Sequence, residues 1–517
     1  MNKSIEKYLP YFWFVITLSF VFTHLTNDFY VFWAYGHQVA ISEETGIESL
    51  LATWDIKGLL YRAYVYHLYA VTTIFLDDFS ILCQAIYKGI AIFELNLILL
   101  LAVLVLPKTF NNGAKKSTLF FILSISFMAV HFSCHLQPEM IAVPLFILSI
   151  SFYLKKDVVS IIISSIILCI TFYLKSPMPI MGGTLVVIAF LLDHVEIKEK
   201  VKNLVLFSIS FSLLFGISLF IINYFCPQEI VDILDASHYQ RTLLTGGGGQ
   251  ALMLSLAHFV YHFLYGMLEY PLLLLVLPLS GIMILNWHKE KQYFEILLFA
   301  MSWMFPSAYI LISNCFFDYH YELFIFPAIM AMLLIYQEGI LANFLKVSHK
   351  LVMVASFVYL FFLSAFSYNV VIANIKYEEV RKQNIQNNSQ YGRQLGQGKI
   401  LYLDAGSGAF QLGNRSFLRY FYPLPIERIE EGTPFTKTTT FVETKNKILG
   451  YQGEYLTLSS NWFFMYPHPE IKKYISENYE KCSLESSTLC TYSWNIFSLT
   501  PYKVSNLVVY KRKKTSC

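Results

Sequence analysis

In the stretch THLTNDFYVFW, residues 23–33, an aspartate follows directly on an apolar run, among His24, Asn27, Tyr30 and Trp33. A carboxylate at a lipid–water boundary, flanked by aromatics, is positioned to take a proton from an attacking hydroxyl. Asp28 is read on that ground as a general base, although a lone acid at a helix end also serves as a solvated cap. The segment TWDIKGLLYRAYVYHLYA, residues 53–70, brings Lys57 and Arg62, cations suited to a lipid phosphate. Its aromatics fit an amphipathic helix lying in the interface equally well. In HFSCHLQPEM, His131, His135 and Glu139 stand four apart, on one helix face, but Pro138 interrupts that regularity. His135 and Glu139 suit an acceptor or a cation, and hydrogen-bonded helix ends are the plainer account.

Further along, DYHYELFIFP puts Asp318, His320 and Glu322 at alternate positions, which share one face of an extended segment. His320 could meet a phosphate, and Asp318 and Glu322 an acceptor or cation; a polar rim explains the pattern as simply. His238 and Arg241 precede the run Gly246–Gly249 and could contact an anionic donor. Lys57, Arg62, Arg241 and His320 are thus the residues expected to meet a phosphate or other anion. His258 and His262 have the spacing of a two-histidine metal site but lack obvious further ligands, so packing is favoured. Lys88 and Glu94, inside an apolar run, are costly unless paired or facing a cavity, and six residues apart they share no helix face.

The elements that must position these groups follow from composition. The chain has 517 residues, 56% hydrophobic and 14% charged, with mean hydropathy +0.51. Soluble domains carry about 25% charged residues, so this chain belongs in a membrane. Aromatics at 17% suit helix ends at both interfaces. The net charge of +3 includes no basic stripe of the kind that grips nucleic acid. Runs near the bilayer-spanning length number about eleven; they begin near residues 9, 79, 117, 139, 157, 177, 203, 270, 292, 321 and 351. Lys3 and Lys7, Lys108 to Lys116, Lys155 and Lys156, Lys198 to Lys202, Lys289 and Lys291, and Lys346 and Lys350 fall at alternate connections. By the positive-inside rule the N-terminus is cytoplasmic and the C-terminus outside. The first run lacks a small-residue cleavage site and reads as an uncleaved span.

The fold class expected is an α-helical polytopic membrane protein, with residues 1–375 as the membrane module and 376–517 as an extracytoplasmic α/β domain. In the latter, KILYLDAG and NLVVYKRK read as strands and HPEIKKYISENYEK as a helix. Cys482 and Cys490, eight apart in an oxidising compartment, are expected to pair. The other cysteines lie mostly in apolar runs and read as packing. No P-loop, GxGxxG, GxSxG or paired-cysteine zinc spacing occurs, which argues against nucleotide-driven chemistry.

Taken together, the first span followed at once by Asp28, Glu139 between the third and fourth spans, and the outer C-terminal domain resemble the GT-C superfamily of integral-membrane glycosyltransferases. YHYELFIFP is similar to a motif opening a late span in several members, with His320 where arginine is usual. The resemblance implies a polyprenyl-phosphate-linked sugar as donor, a glycan, lipid or protein acceptor, surrounding membrane lipid, and no nucleic acid. It calls for no cofactor, leaves a divalent cation open, and fits a multi-pass protein of a bacterial inner membrane. Asp28 and Glu139 would be the catalytic pair. A polysaccharide polymerase or ligase is the related alternative, and a lipid or solute transporter or flippase the one from another class. The topology has a direct check. A membrane-impermeant thiol reagent should label cysteines introduced after Ile375 and spare those introduced at Lys198 to Lys202; the reverse pattern would invert the orientation.

Overall fold

The computed structural model describes residues 3–22, 27–52, 57–76, 80–107, 116–130, 136–175, 196–245, 256–257, 260, 271–313, 324, 383, 386–387, 389–396, 398–404, 407–419, 433–459, 468–485, 490–495, 498–503 and 507–513. Helices dominate its first part: α1 (Lys3–Phe22), α2 (Asn27–Ala40), α3 (Ile47–Ala52), α4 (Leu59–Phe75), α5 (Ile81–Val105), α6 (Lys116–Val130), α7 (Pro138–Tyr153), α8 (Val158–Leu174), α9 (Ile197–Phe225), α10 (Pro227–Thr245), α11 (Pro271–Lys289) and α12 (Tyr293–Ser313). The apolar runs near residues 9, 79, 117, 139, 157, 203, 270 and 292 lie in α1, α5, α6, α7, α8, α9, α11 and α12. Those near 177, 321 and 351 fall outside the described residues, as does the expected boundary near residue 375. Among the described residues, two helical stretches are long and apolar enough to cross a membrane: Leu82–Val105 and Ile197–Phe225. Met140–Tyr153 and Val158–Leu174 are apolar but shorter.

Helix α9 shows what this composition does in three dimensions. Ile209, Leu213, Ile217, Ile221 and Phe225, four apart, are between 46% and 72% exposed. So long an uncovered apolar stripe requires lipid or protein against it. Between helices, small polar side chains lock the contacts. Ser149 of α7 and Ser164 of α8 donate to each other's backbone carbonyls at 2.9 and 2.8 Å. The Trp13 indole donates to Ser124 at 2.8 Å, and Ser124 donates in turn to Asn96, joining α1, α6 and α5. In an apolar medium a backbone has no water to satisfy it, and small residues allow the close approach that makes such bonds possible.

Helices α2 and α4 lie on this bundle. The chain enters α4 through Gly58, whose amide donates to the Leu174 carbonyl at 3.1 Å. A Cβ at Gly58 would overlap the Tyr173 carbonyl, so glycine is what lets α4 begin against the end of α8. Ser80 and Asp157 cap α5 and α8 through side-chain acceptors.

The C-terminal unit holds β1 (Leu401–Leu403), α13 (Ser407–Leu412), α14 (Thr439–Leu449), β2 (Tyr455–Ser459), α15 (Pro469–Asn478), β3 (Tyr479–Glu485), β4 (Cys490–Asn495), β5 (Ser498–Lys503) and β6 (Leu507–Arg512). The main sheet runs β1-β2-β6-β3, with β1 parallel to β2 and β6 antiparallel to both its neighbours. Leu401, Leu403, Leu456 and Leu458 meet Phe441, Ile448, Ile471 and Ile475 of the covering helices. β1, β6 and α15 lie within the two strands and the helix read from the sequence, although the last residues of the helical stretch, Tyr479 to Lys481, belong to β3. The expected disulfide does not form. Cys482 is a free thiol in β3, hydrogen-bonded with Tyr391, whereas Cys490 opens β4 in a separate two-stranded sheet.

The unit docks on the end of α2. His37 contacts the Tyr69 hydroxyl through Nδ1 and the Gly413 carbonyl through Nε2, each at 3.0 Å. Gln38 donates to the Asn414 carbonyl and accepts from the Ser416 amide, both at 2.8 Å. Gly413 has φ +70°, a conformation that favours glycine. Burial pushes the His37 pKa below its usual 6.5, with the Gly413 carbonyl opposing. A histidine whose pKa falls on folding contributes stability fully present above the unfolded value and lost as pH drops through the folded one. Lowering pH from 7.5 to 5 should therefore reduce the amide protection factors around 413–416, taken relative to the intrinsic exchange rate at each pH, and His37→Gln should remove that dependence. An identical pH profile in the variant would assign the effect elsewhere.

Candidate functional site

Asp28 lies in the first turn of α2 and Phe32 one turn further on the same face. The Phe32 ring meets Tyr61 of α4 edge-on, centroids 5.5 Å apart. Tyr61 is buried and donates its hydroxyl to the Leu136 carbonyl at 3.0 Å. Leu136 adopts φ 45°, a left-handed conformation costly for so bulky a residue. It stands immediately before Gln137 and Pro138, which start α7, and Glu139 is the second residue of that helix. Lys57 completes the group, its ammonium 4.5 Å from the Phe32 ring centroid and 5.4 Å from that of Tyr61. Three segments distant in sequence thus converge: the start of α2, the entry to α4, and the strained start of α7. Asp28, Lys57 and Glu139 sit on them. The side chains of Asp28, Glu139 and Arg241 lie outside the described ones, as do His135, Asp318, His320 and Glu322 altogether.

Arg62 corrects one expectation. It is 1% exposed and pairs with Glu229 of α10, with Asp232 a further 3.7 Å contact. Its guanidinium is enclosed and balanced, so it anchors the fold rather than standing open to a donor phosphate. Glu229 also accepts from the Leu59 amide at 2.8 Å. Burial pushes its carboxyl above the usual range, against the pull of Arg62. Arg419 from the C-terminal unit closes the network with a two-pronged contact on Asp232, one prong 2.9 Å long. Glu229 and Asp232 went unmarked in the sequence; two acids three apart after Pro227, on a helix with no ligand motif, were the available signal.

His238 is exposed on α10. Glu94, which shares no helix face with Lys88, hydrogen-bonds His67 of α4 at 2.7 Å. Among the described residues, no group of three or more His, Cys, Asp and Glu side chains is arranged to hold a metal ion.

No family model matches this chain, and no curated protein does. Among solved structures, the chain is similar to ArnT from Cupriavidus metallidurans bound to undecaprenyl phosphate, at 12% identity and TM-score 0.49, over 99% of this chain and 98% of that one. What the site can do is set by this chain's own side chains.

The ion network gives a prediction about folding alone. Breaking a buried pair by removing one partner costs about 3–5 kcal/mol, because the remaining charge is left without compensation. Arg62→Ala should lower thermal stability by that order, and Arg62→Ala with Glu229→Gln should recover part of it. Equal stability of the native and Arg62→Ala proteins in one detergent would show that the pair is not formed.

Proposed function

We propose that this chain is an integral-membrane glycosyltransferase that moves a sugar from a polyprenyl-phosphate donor to an acceptor hydroxyl at the outer membrane face. The observation that carries the reading is the convergence of the α2, α4 and α7 starts. Asp28, Lys57 and Glu139 stand in sequence on those three starts, and the Lys57 ammonium lies over two aromatic rings. The architectural resemblance described from the sequence points to the same reaction.

The step is a displacement with inversion. The acceptor oxygen attacks the anomeric carbon, and the bond from that carbon to the phosphate oxygen breaks. Asp28 takes the acceptor proton, and the phosphate leaves as an anion that needs no strong general acid. Lys57 stabilises the charge developing on that phosphate. Glu139, from the facing helix start, orients the acceptor or a cation. Phe32 and Tyr61 limit water around the carboxylate, which raises its basicity. Arg241 and His320 remain donor-side candidates in this proposal, and His135, Asp318 and Glu322 acceptor-side ones.

A second reading, a lipid or solute transporter, draws on one observation. Helix α5 carries buried Lys88, and also Glu94 bonded to His67, which are groups typical of an intramembrane path. Radiolabelled sugar transfer in vesicles, run beside lipid uptake, separates the two. Loss of a general base costs about 10²- to 10⁴-fold in rate, so Asp28→Asn should lose transfer on that scale while unfolding at the native temperature. Lys57→Gln should raise the donor requirement about tenfold, as expected for one charge-assisted contact. Near-normal turnover by a folded Asp28→Asn protein would overturn the assignment.

A further inference from the structure

At the far end of α2 from Asp28, a cleft of about 140 Å³ opens between the membrane module and the C-terminal unit. Among the described residues, its lining includes Gln38, Ser42, Lys399, Arg415, Ser416 and Arg419, three of them cationic, and none of them acidic. Two carboxylates reach these cations from outside the lining. Asp232 holds Arg419, as part of the buried network. Glu43 pairs with Arg415 and approaches Lys399 at 3.8 Å. The two acids differ sharply in how they are held. Asp232 is 3% exposed, whereas Glu43 is 71% exposed on the turn between α2 and α3. Ion pairs made by so exposed a side chain contribute little, because water and salt compete for both partners. Glu43 is thus a weakly held carboxylate resting on a guanidinium fork and an ammonium beside a cavity much larger than one water requires. A fork and a point charge side by side suit an oxyanion with several oxygens.

We propose that this cleft binds a phosphate-type oxyanion, with the Glu43 carboxylate as its internal stand-in, displaced when the anion enters. The donor's leaving phosphate is not the occupant. From Asp28 to Gln38 the helix rises about 15 Å, whereas the leaving phosphate must be bonded to the carbon under attack. The anion held here is a second one, carried by the acceptor at a distance from its reacting hydroxyl. That assignment to the acceptor rests on the glycosyl-transfer reading; the oxyanion site itself does not.

The test is calorimetric titration of inorganic phosphate into the purified full-length protein in detergent, at constant ionic strength. Glu43→Gln should bind phosphate about two- to fivefold more tightly, the range expected for removing an exposed competing pair. The double variant Lys399→Ala with Arg415→Ala should bind more than tenfold more weakly, having lost two charge-assisted contacts. Repeating the titration in nanodiscs identifies the source. Equal phosphate binding in phosphatidylcholine and phosphatidylglycerol marks a site for a water-borne phosphate group. Binding lost only in phosphatidylglycerol marks a lipid headgroup. Unchanged affinity in the double variant, or no phosphate binding by Glu43→Gln, would overturn the proposal. Because the readout is binding, it stands or falls separately from any loss of transfer in Asp28→Asn.

Discussion

Arg62, Glu229 and Asp232 are buried and, with the partly exposed Arg419, form a network of two cations and two carboxylates drawn from three places in the chain. None of these charges could be buried alone without a large desolvation cost. Together they are neutral, and the geometry that satisfies them is narrow. Such a network adds little net stability over an apolar core of equal volume, but it strongly penalises any other register of its segments. It therefore specifies where α10 meets α4 and where the chain around residue 419 comes to rest. The first turn of α4, with Gly58 behind it on the end of α8, is pinned from both sides. Lys57 and Tyr61 inherit their positions from that anchorage.

Helix α2 joins the two regions where chemistry is proposed. Its first turn carries Asp28, and its last turns carry His37 and Gln38, which bind the backbone of Gly413, Asn414 and Ser416. A rigid helix fixed at one end by the aromatic contact of Phe32 with Tyr61 and at the other by these hydrogen bonds cannot shift along its axis without breaking one set. The separation between the two ends is then a constant of the molecule. An acceptor bridging them would be measured against a fixed length, which is how binding remote from a reacting bond orients the bond itself.

Local signals made much of this legible. The apolar runs gave the helices of the bundle, because a segment that must satisfy its own backbone in lipid has few other choices. The alternating and proline-led patterns near residues 401, 469 and 507 gave strands and a helix of the C-terminal unit. Asp28, Lys57 and Glu139 stand out in the sequence by type and by proximity to span ends, and their roles are proposals. What stayed hidden depends on partners far away in the chain. Arg62 looked like a phosphate ligand because its partner lies 167 residues on, and the buried acids of α10 carry no motif. Glu94 was tested against Lys88 on its own helix, whereas its partner, His67, is on another. Cys482 and Cys490 were close in sequence, but strand pairing sent them to different sheets. The cationic cleft was invisible for the same reason, since Glu43, Lys399 and Arg415 meet only after folding.

Lys57 and Arg62, five residues apart, are held by different kinds of neighbour. Arg62 is met by carboxylates, which cancel its charge and fix it in place. Lys57 lies over two aromatic faces, whose quadrupoles attract a cation without taking its charge. A planar guanidinium with several donors suits the first task, and a compact ammonium on a flexible stem suits the second. At a membrane boundary the distinction sharpens, because a charge away from water acts on its neighbours through a lower dielectric. In the proposed reaction, an ammonium held over rings just before α4 would stabilise an anion forming nearby, while the Arg62 ion pairs hold the first turn of that helix in place.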